Sequence, residues 1–140
     1  MKIQIERKND DFLMEATGSS GNTVMIDHSG ATPVQGVSPM ELVLMGVGGC
    51  SAIDIIDILK KQRQSINSYK VEVEGDRFEL DNAKPFKSIT CAIHLEGDID
   101  DKKAARAAAL SFEKYCSVSK TFDAVVAINY KVIVNGTEIE

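Results

Sequence analysis

Three cysteines are the side chains of this sequence with the greatest capacity for chemistry: Cys50, Cys91 and Cys116. A thiolate is a strong nucleophile, and two thiols that meet can cycle between dithiol and disulfide. Cys50 and Cys116 fall in two segments with helical patterns, and each is followed by a serine. Two inward-facing helical thiols could therefore meet across a packed helix pair. The alternative is that they are two unrelated core cysteines.

Cys91 lies in a different setting, on the apolar side of a predicted strand. Free cysteine is among the most buried residue types, so we interpret Cys91 as a small core residue. The cysteines and the two histidines, His28 and His94, show none of the paired spacings that structural zinc sites use. The sequence therefore predicts no metal site and no cofactor.

The segment that carries Cys50 opens with a helix start signal. Ser38 can cap the first turn and Pro39 suits the first helical position. Glu41, three residues after the serine, completes a Ser-x-x-Glu capping box. The sequence predicts that a helix begins here.

The body of this helix, residues 42–59, is apolar or small at almost every position. Such a helix is typical of a buried element, so we expect a central helix that is buried on all sides and presents Cys50. Three glycines just before Cys50 suggest the close approach of another backbone. Asp54 and Asp57 interrupt the apolar run and argue against a membrane span.

The remaining elements follow from hydrophobic periodicity and turn signals. Strands are predicted at 1–7, 12–17, 23–27, 69–74, 86–96 and 126–134, with a loop at 28–37 and a second helix from about 98–101 onward. The second helix places Cys116 on its inward face near its C-terminal end. The order βββ-α-ββ-α-β predicts an α+β fold with antiparallel sheets.

Size and composition limit the possible partners and location. The 140 residues suit one domain, 1–140, with 44% hydrophobic and 26% charged residues. A net charge of −5 argues against nucleic acid or an anionic membrane as the main partner. An odd number of cysteines without a CxxC motif, and an N-terminus without an apolar signal core, favour a cytoplasmic protein.

Two motifs carry a resemblance to a known family. The motifs SPME (38–41) with GGCSAID (48–54), and EKYCSV (113–118), resemble those of the OsmC/Ohr family of thiol-dependent hydroperoxide reductases. The first motif is most similar to the YhfA-like branch of that family. The resemblance covers essentially the whole chain because the order of elements also agrees.

The resemblance implies an intertwined homodimer in which the N-terminal strands, 1–27, pair with the other subunit. It also implies a peroxidase that serves in oxidative-stress defence and acts on organic hydroperoxides. Cys50 would attack the peroxide as a thiolate and become a sulfenic acid. Cys116 would condense with it to a disulfide, which an external dithiol would reduce.

The sequence departs from the family at the residues that activate the thiol. Active members use an Arg from the N-terminal strands and a Glu directly after the helix-start Pro. Met40 stands at the Glu position, and Glu41 is rotated from it by about 100° on a helix. Residues 12–27 contain no Arg or Lys, so Arg77, in a loop-like setting, is the candidate substitute.

These departures leave a second function open. Asp54 lies one helical turn after Cys50, and both a nearby carboxylate and burial disfavour a thiolate. The alternative is an OsmC-like protein that binds a small molecule or senses redox state, with little peroxidase activity. Glu41, Asp54 and Arg77 are the candidate accessory residues beside the catalytic candidates Cys50 and Cys116.

Overall fold

A computed structural model describes the whole chain, residues 1–140. The elements are β1 (Gln4–Arg7), β2 (Met14–Thr17), β3 (Thr23–Ile26), α1 (Pro39–Lys61), β4 (Ser65–Arg77), β5 (Phe86–Asp98), α2 (Asp101–Leu110), a π-helical turn (Ser111–Tyr115), α3 (Ser117–Phe122), β6 (Ala127–Val134) and β7 (Thr137–Ile139). The chain forms two compact units, Met1–Val43 and Leu44–Glu140. The α+β class and the predicted order of the main elements are confirmed.

The first unit contains an antiparallel sheet of order β1-β2-β3. The three predicted strands are confirmed, although each is four residues long. The loop after β3 is held by Asp27, a buried carboxylate. Its Oδ1 accepts the backbone N–H of His28 at 2.8 Å, and its Oδ2 accepts that of Gln35 at 2.9 Å.

The start of α1 has the capping box that the sequence predicts. The backbone N–H of Ser38 donates to Glu41 Oε2 at 2.7 Å, and the backbone N–H of Glu41 donates to Ser38 Oγ at 3.2 Å. The backbone N–H of Ser38, followed by its hydroxyl, lowers the pKa of Glu41. The reciprocal bonds satisfy two groups that a helix N-terminus would otherwise leave unpaired.

Within the second unit, α1 is buried on one face only. Its buried column follows helical spacing: Val47, Gly48, Ser51, Ile55 and Leu59. Met45 and Ile53 on other faces are 52% and 71% exposed, so the expectation of burial on all sides is wrong for the single chain. By length and apolar composition alone the helix could cross a membrane, but core helices of soluble proteins meet the same criteria.

The second sheet has the order β4-β5-β6-β7. β4 with β5 and β6 with β7 are antiparallel, but β5 and β6 are parallel, so the expectation of purely antiparallel sheets is wrong at this pair. The α2–α3 segment is the crossover connection that a parallel pair requires. The inner side of β5 is the centre of the core, and it includes Cys91, which is fully buried as predicted.

Gly48 marks the closest approach between α1 and this sheet. A Cβ atom at Gly48 would lie 2.7 Å from Val73 Cγ2 and 3.5 Å from Val71 Cγ1 on β4. The glycines had suggested the close approach of another backbone. The neighbours of Gly48 are instead two valine side chains. Gly49, by contrast, has nothing within 4 Å of such a Cβ.

The second helical segment differs from the continuous helix that the sequence predicts. α2 ends at Leu110, and the following π-helical turn closes with the backbone N–H of Cys116 donating to Ser111 O at 2.8 Å. Cys116 is extended, with φ −66° and ψ 99°, and forms the N-cap of α3. The expected position of Cys116 inside a helix is thus wrong. The hydrophobic periodicity of α2 continues through the π-helical turn, which is why the sequence predicted one helix. Hydrophobic periodicity does not reveal that this wider turn ends in an extended residue.

Candidate active site

The structure brings Cys50, Asp54 and Cys116 together. The two sulfur atoms and a carboxylate oxygen of Asp54 all lie within 4.8 Å of one another. Cys50 and Asp54 are one turn apart on α1, and Cys116 comes from the residue between the π-helical turn and α3. The two helical segments therefore place a dithiol next to a carboxylate.

The two thiols differ in their access to solvent. Cys50 is partly exposed, whereas Cys116 is fully buried, and both are free thiols. A disulfide needs the sulfurs at about 2.05 Å, so rotation of the side chains must bring them together. The exposed member is the one that a solvent-borne reactant can reach first.

The Asp54 carboxylate is held from the π-helical turn. The hydroxyl of Ser111, a fully buried residue, donates to Asp54 Oδ2 at 3.1 Å. The π-helical turn begins at Ser111, and such turns frequently occur at functional sites. Sequence reasoning missed Ser111 because its partner lies 57 positions away.

The sulfur of Cys116 is contacted by two donors from Ser119. The hydroxyl donates to Sγ at 3.1 Å and the backbone N–H at 3.4 Å. Ser119 is buried at 2% exposure. Sequence reasoning missed this residue too, although a serine three positions after an N-cap is the position from which such a donor reaches back.

These contacts have opposing effects on the pKa of Cys116. Burial is the largest effect and raises it, and the hydrogen bond and charge of Cys50 raise it further. The two donors of Ser119 lower it, because they favour the thiolate. The net direction is upward, so at neutral pH the Cys116 thiol is mainly protonated.

Cys91 and Tyr69 are two further weak acids close to the site. Burial, and then the charge of Cys116, raise the pKa of Cys91 to about 11. Burial, and then the charge of Cys91, raise that of Tyr69, whose buried hydroxyl has no hydrogen-bond partner in the chain. The interior next to the site therefore disfavours negative charge.

A cleft of about 420 Å³ leads to the carboxylate of the cluster. It is lined by Asp54, Asp57, Ile58, Lys61, Leu110 and Tyr115. Asp57 is on the cleft but is paired with Lys61, whose Nζ lies 2.6 Å from Oδ2. The cleft gives a molecule with both apolar and polar parts a route to the side of the cluster formed by Asp54.

Comparison with known proteins identifies the family. The family described as OsmC-like protein matches residues 29–131 of the chain. The chain belongs to the OsmC-like family. Protein YhfA of Escherichia coli strain K12 is 39% identical over 125 residues, which cover 87% of this chain and 90% of YhfA.

Solved structures show the same fold. An OsmC-like protein from Mycoplasma pneumoniae has a TM-score of 0.80 at 17% identity, covering 95% of each chain. The organic hydroperoxide resistance protein OhrB of Bacillus subtilis has a TM-score of 0.67 at 19% identity, covering 94% of this chain and 96% of OhrB. At these identities the likeness concerns the OsmC-like fold alone.

In this OsmC-like chain two of the three candidate accessory residues have other partners. Glu41 forms the capping box with Ser38. Arg77 donates its Nε–H to the carbonyl oxygen of Lys84 at 2.7 Å, in the connection between β4 and β5. Neither an arginine nor a lysine is among the groups that shift the pKa of Cys116. Of the three accessory candidates, Asp54 is the one that contacts the thiol cluster.

Proposed function

We propose that this OsmC-like protein is a thiol-dependent hydroperoxide reductase that acts on organic hydroperoxides. Cys50 is the attacking residue and Cys116 the resolving residue. The observation that supports this most directly is the approach of the two sulfurs to within 4.8 Å, with only Cys50 accessible. Family membership, with OhrB among the structural neighbours, supports a function related to hydroperoxide resistance.

In the first step the sulfur of Cys50 attacks an oxygen of the hydroperoxide. The O–O bond breaks, the thiol is oxidised to the sulfenic acid, and the other oxygen leaves as an alcohol after taking up a proton. The cleft beside Asp54 is lined in part by the apolar side chains of Ile58 and Leu110, although not by Cys50 itself, and this apolar part favours an organic hydroperoxide over hydrogen peroxide.

In the second step Cys116 condenses with the sulfenic acid. Its sulfur loses a proton and bonds to the sulfur of Cys50, and the hydroxyl group leaves as water. The donors of Ser119 stabilise the negative charge on this sulfur while the thiol loses its proton. Burial protects Cys116 from direct oxidation until Cys50 has reacted.

An external dithiol completes the cycle. One of its thiolates attacks the Cys50–Cys116 disulfide, and its second thiol resolves the mixed disulfide. The protein returns to the dithiol form, and the external dithiol leaves as a disulfide. The proposed overall reaction is the conversion of a hydroperoxide and a dithiol to an alcohol, water and a disulfide.

The proposal also includes a homodimer of single domains in the cytoplasm, with the N-terminal strands, residues 1–27, paired with the partner. Apolar side chains that the single chain leaves exposed support an interface: Ile3 and Ile5 near the N-terminus, and Met45 and Ile53 on α1. The three free cysteines suit a reducing compartment.

A second candidate function is small-molecule binding or redox sensing with little turnover. The observation that favours it is that a carboxylate, Asp54, lies within 4.8 Å of both sulfurs, while Arg77 donates to the carbonyl oxygen of Lys84. A thiolate without a cationic partner is formed less readily, which slows the attack on the peroxide.

Steady-state consumption of an organic hydroperoxide with dithiothreitol as reductant distinguishes the two functions. We expect turnover by the wild-type protein, loss of turnover in C50S, and slower turnover in C116S, in which dithiothreitol must itself condense with the Cys50 sulfenic acid. The variant C91A is the matched thiol control and should retain turnover. Consumption by the wild-type protein no faster than with dithiothreitol alone would contradict the peroxidase and favour the second function.

A further inference from the structure

The cluster at the candidate active site has the composition of a metal site as well as of a redox pair. We propose that the reduced protein binds one Zn²⁺ ion through Cys50 Sγ, Cys116 Sγ and a carboxylate oxygen of Asp54, with a fourth position open to solvent. The proposal rests on the arrangement of these three donors and does not require hydroperoxide turnover.

The distances between the donors suit a small divalent ion. Zinc binds sulfur at about 2.3 Å and carboxylate oxygen at about 2.0–2.2 Å, which in a tetrahedron places neighbouring donors about 3.5–3.8 Å apart. The three atoms already lie within 4.8 Å of one another. Each pair therefore needs to close by at most about 1.3 Å, which rotation of the side chains can supply.

The placement of the donors along the chain is also typical of a metal site. Cys50 and Asp54 are four residues apart on α1 and so lie on one face of the helix, a spacing that helical zinc ligands use. Cys116 reaches the same point from the N-cap of α3, a different element. Two elements that are distant in sequence thus converge on one position.

Two of the ligands are already oriented by neighbouring residues. Ser111 Oγ donates to Asp54 Oδ2 at 3.1 Å, which leaves Oδ1 free to bind an ion. Ser119 donates its hydroxyl to Cys116 Sγ at 3.1 Å. Hydrogen bonds to ligands from outside the coordination shell orient those ligands and increase metal affinity.

The ligand types select the metal. Two thiolates with one carboxylate suit zinc and other borderline or soft ions, whereas Mg²⁺ and Ca²⁺ prefer sites built from oxygen alone. Binding releases the two thiol protons and requires no oxidant. A disulfide between Cys50 and Cys116 would remove two ligands, so zinc binding and oxidation of the pair exclude each other.

The test is a titration of the reduced, full-length protein with Zn²⁺ in competition with a chromophoric chelator. We expect one ion per chain, a loss of stoichiometric binding in C50S and C116S, and at least a tenfold loss of affinity in D54N. The matched controls are D57N, a carboxylate on the same helix that is paired with Lys61, and C91A, a thiol outside the cluster. Both should keep the wild-type zinc affinity.

Absorption spectra with Co²⁺ test the same site without relying on the stability of any variant. Cobalt bound in place of zinc should give thiolate-to-metal charge-transfer absorption and the intense d–d bands of a tetrahedral site. Oxidation of the protein to the disulfide should abolish both. An absence of stoichiometric zinc binding by the reduced wild-type protein, or equal affinities for D54N and D57N, would overturn the proposal.

Discussion

Ser119 directs two donors at the sulfur of Cys116, its hydroxyl at 3.1 Å and its backbone N–H at 3.4 Å. The extended conformation of Cys116 after the π-helical turn makes this possible, because it places the sulfur over the first turn of α3. The contact lowers a pKa that burial raises. Ser119 is therefore the residue that most directly moderates the buried thiol.

Replacement of Ser119 by alanine should slow disulfide formation without slowing the first attack on the peroxide. Loss of a hydrogen bond of about 1 kcal/mol corresponds to about a fivefold slower condensation of Cys116 with the sulfenic acid at neutral pH. Rapid mixing with one equivalent of hydroperoxide, followed by acid quenching and mass spectrometry, measures both steps. The control S117A, an exposed serine on the same helix, should leave both rates unchanged.

Alanine at Gly48 should destabilise the protein, whereas alanine at Gly49 should not. The new Cβ at Gly48 would lie 2.7 Å from Val73 Cγ2, and the short valine side chain cannot easily move away. The overpacking should exceed the helix-propensity gain and lower the free energy of unfolding by about 1–2 kcal/mol. Urea unfolding measures the difference, and equal midpoints for G48A and G49A would contradict the tight packing of α1 on β4.

The buried thiol of Cys91 should make stability fall at alkaline pH. Burial raises its pKa from 9.0 to about 11, so between these values the folded state binds more protons than the unfolded state. The contribution of protonated Cys91 to the free energy of unfolding is therefore fully present below about pH 9 and is lost as the pH rises through about 11. Urea midpoints between pH 8 and 11 should fall less steeply in C91A than in wild type, and parallel curves would contradict this cause.

The sequence is sufficient to predict most of the elements, because their signals are local. The capping box of Ser38 and Glu41 lies within one turn, and the alternation along β5 identifies Cys91 as a core residue. Both features depend on residues that are close in the chain. The family resemblance, carried by the residues around Cys50 and Cys116, predicts the same elements.

The missed features depend on long-range contacts or on irregular backbone. The bond between Ser111 and Asp54 joins residues 57 positions apart, and the π-helical turn that places it has no hydrophobic periodicity of its own. The parallel pairing of β5 with β6 follows from the path of the crossover and not from the pattern of either strand. The residue pattern left open whether Cys50 and Cys116 meet, the family resemblance implied that they do, and neither indicated which groups would hold them.

The most direct test of the central claim is to map the disulfide that forms in a single oxidation. The reduced protein is treated with one equivalent of an organic hydroperoxide, free thiols are alkylated, and the peptides are identified by mass spectrometry. We predict a Cys50–Cys116 disulfide, with Cys91 still reduced, and no disulfide in C50S. A hydroperoxide that remains unconsumed, or a disulfide that includes Cys91 instead, would contradict the assignment of Cys50 and Cys116 as the redox pair.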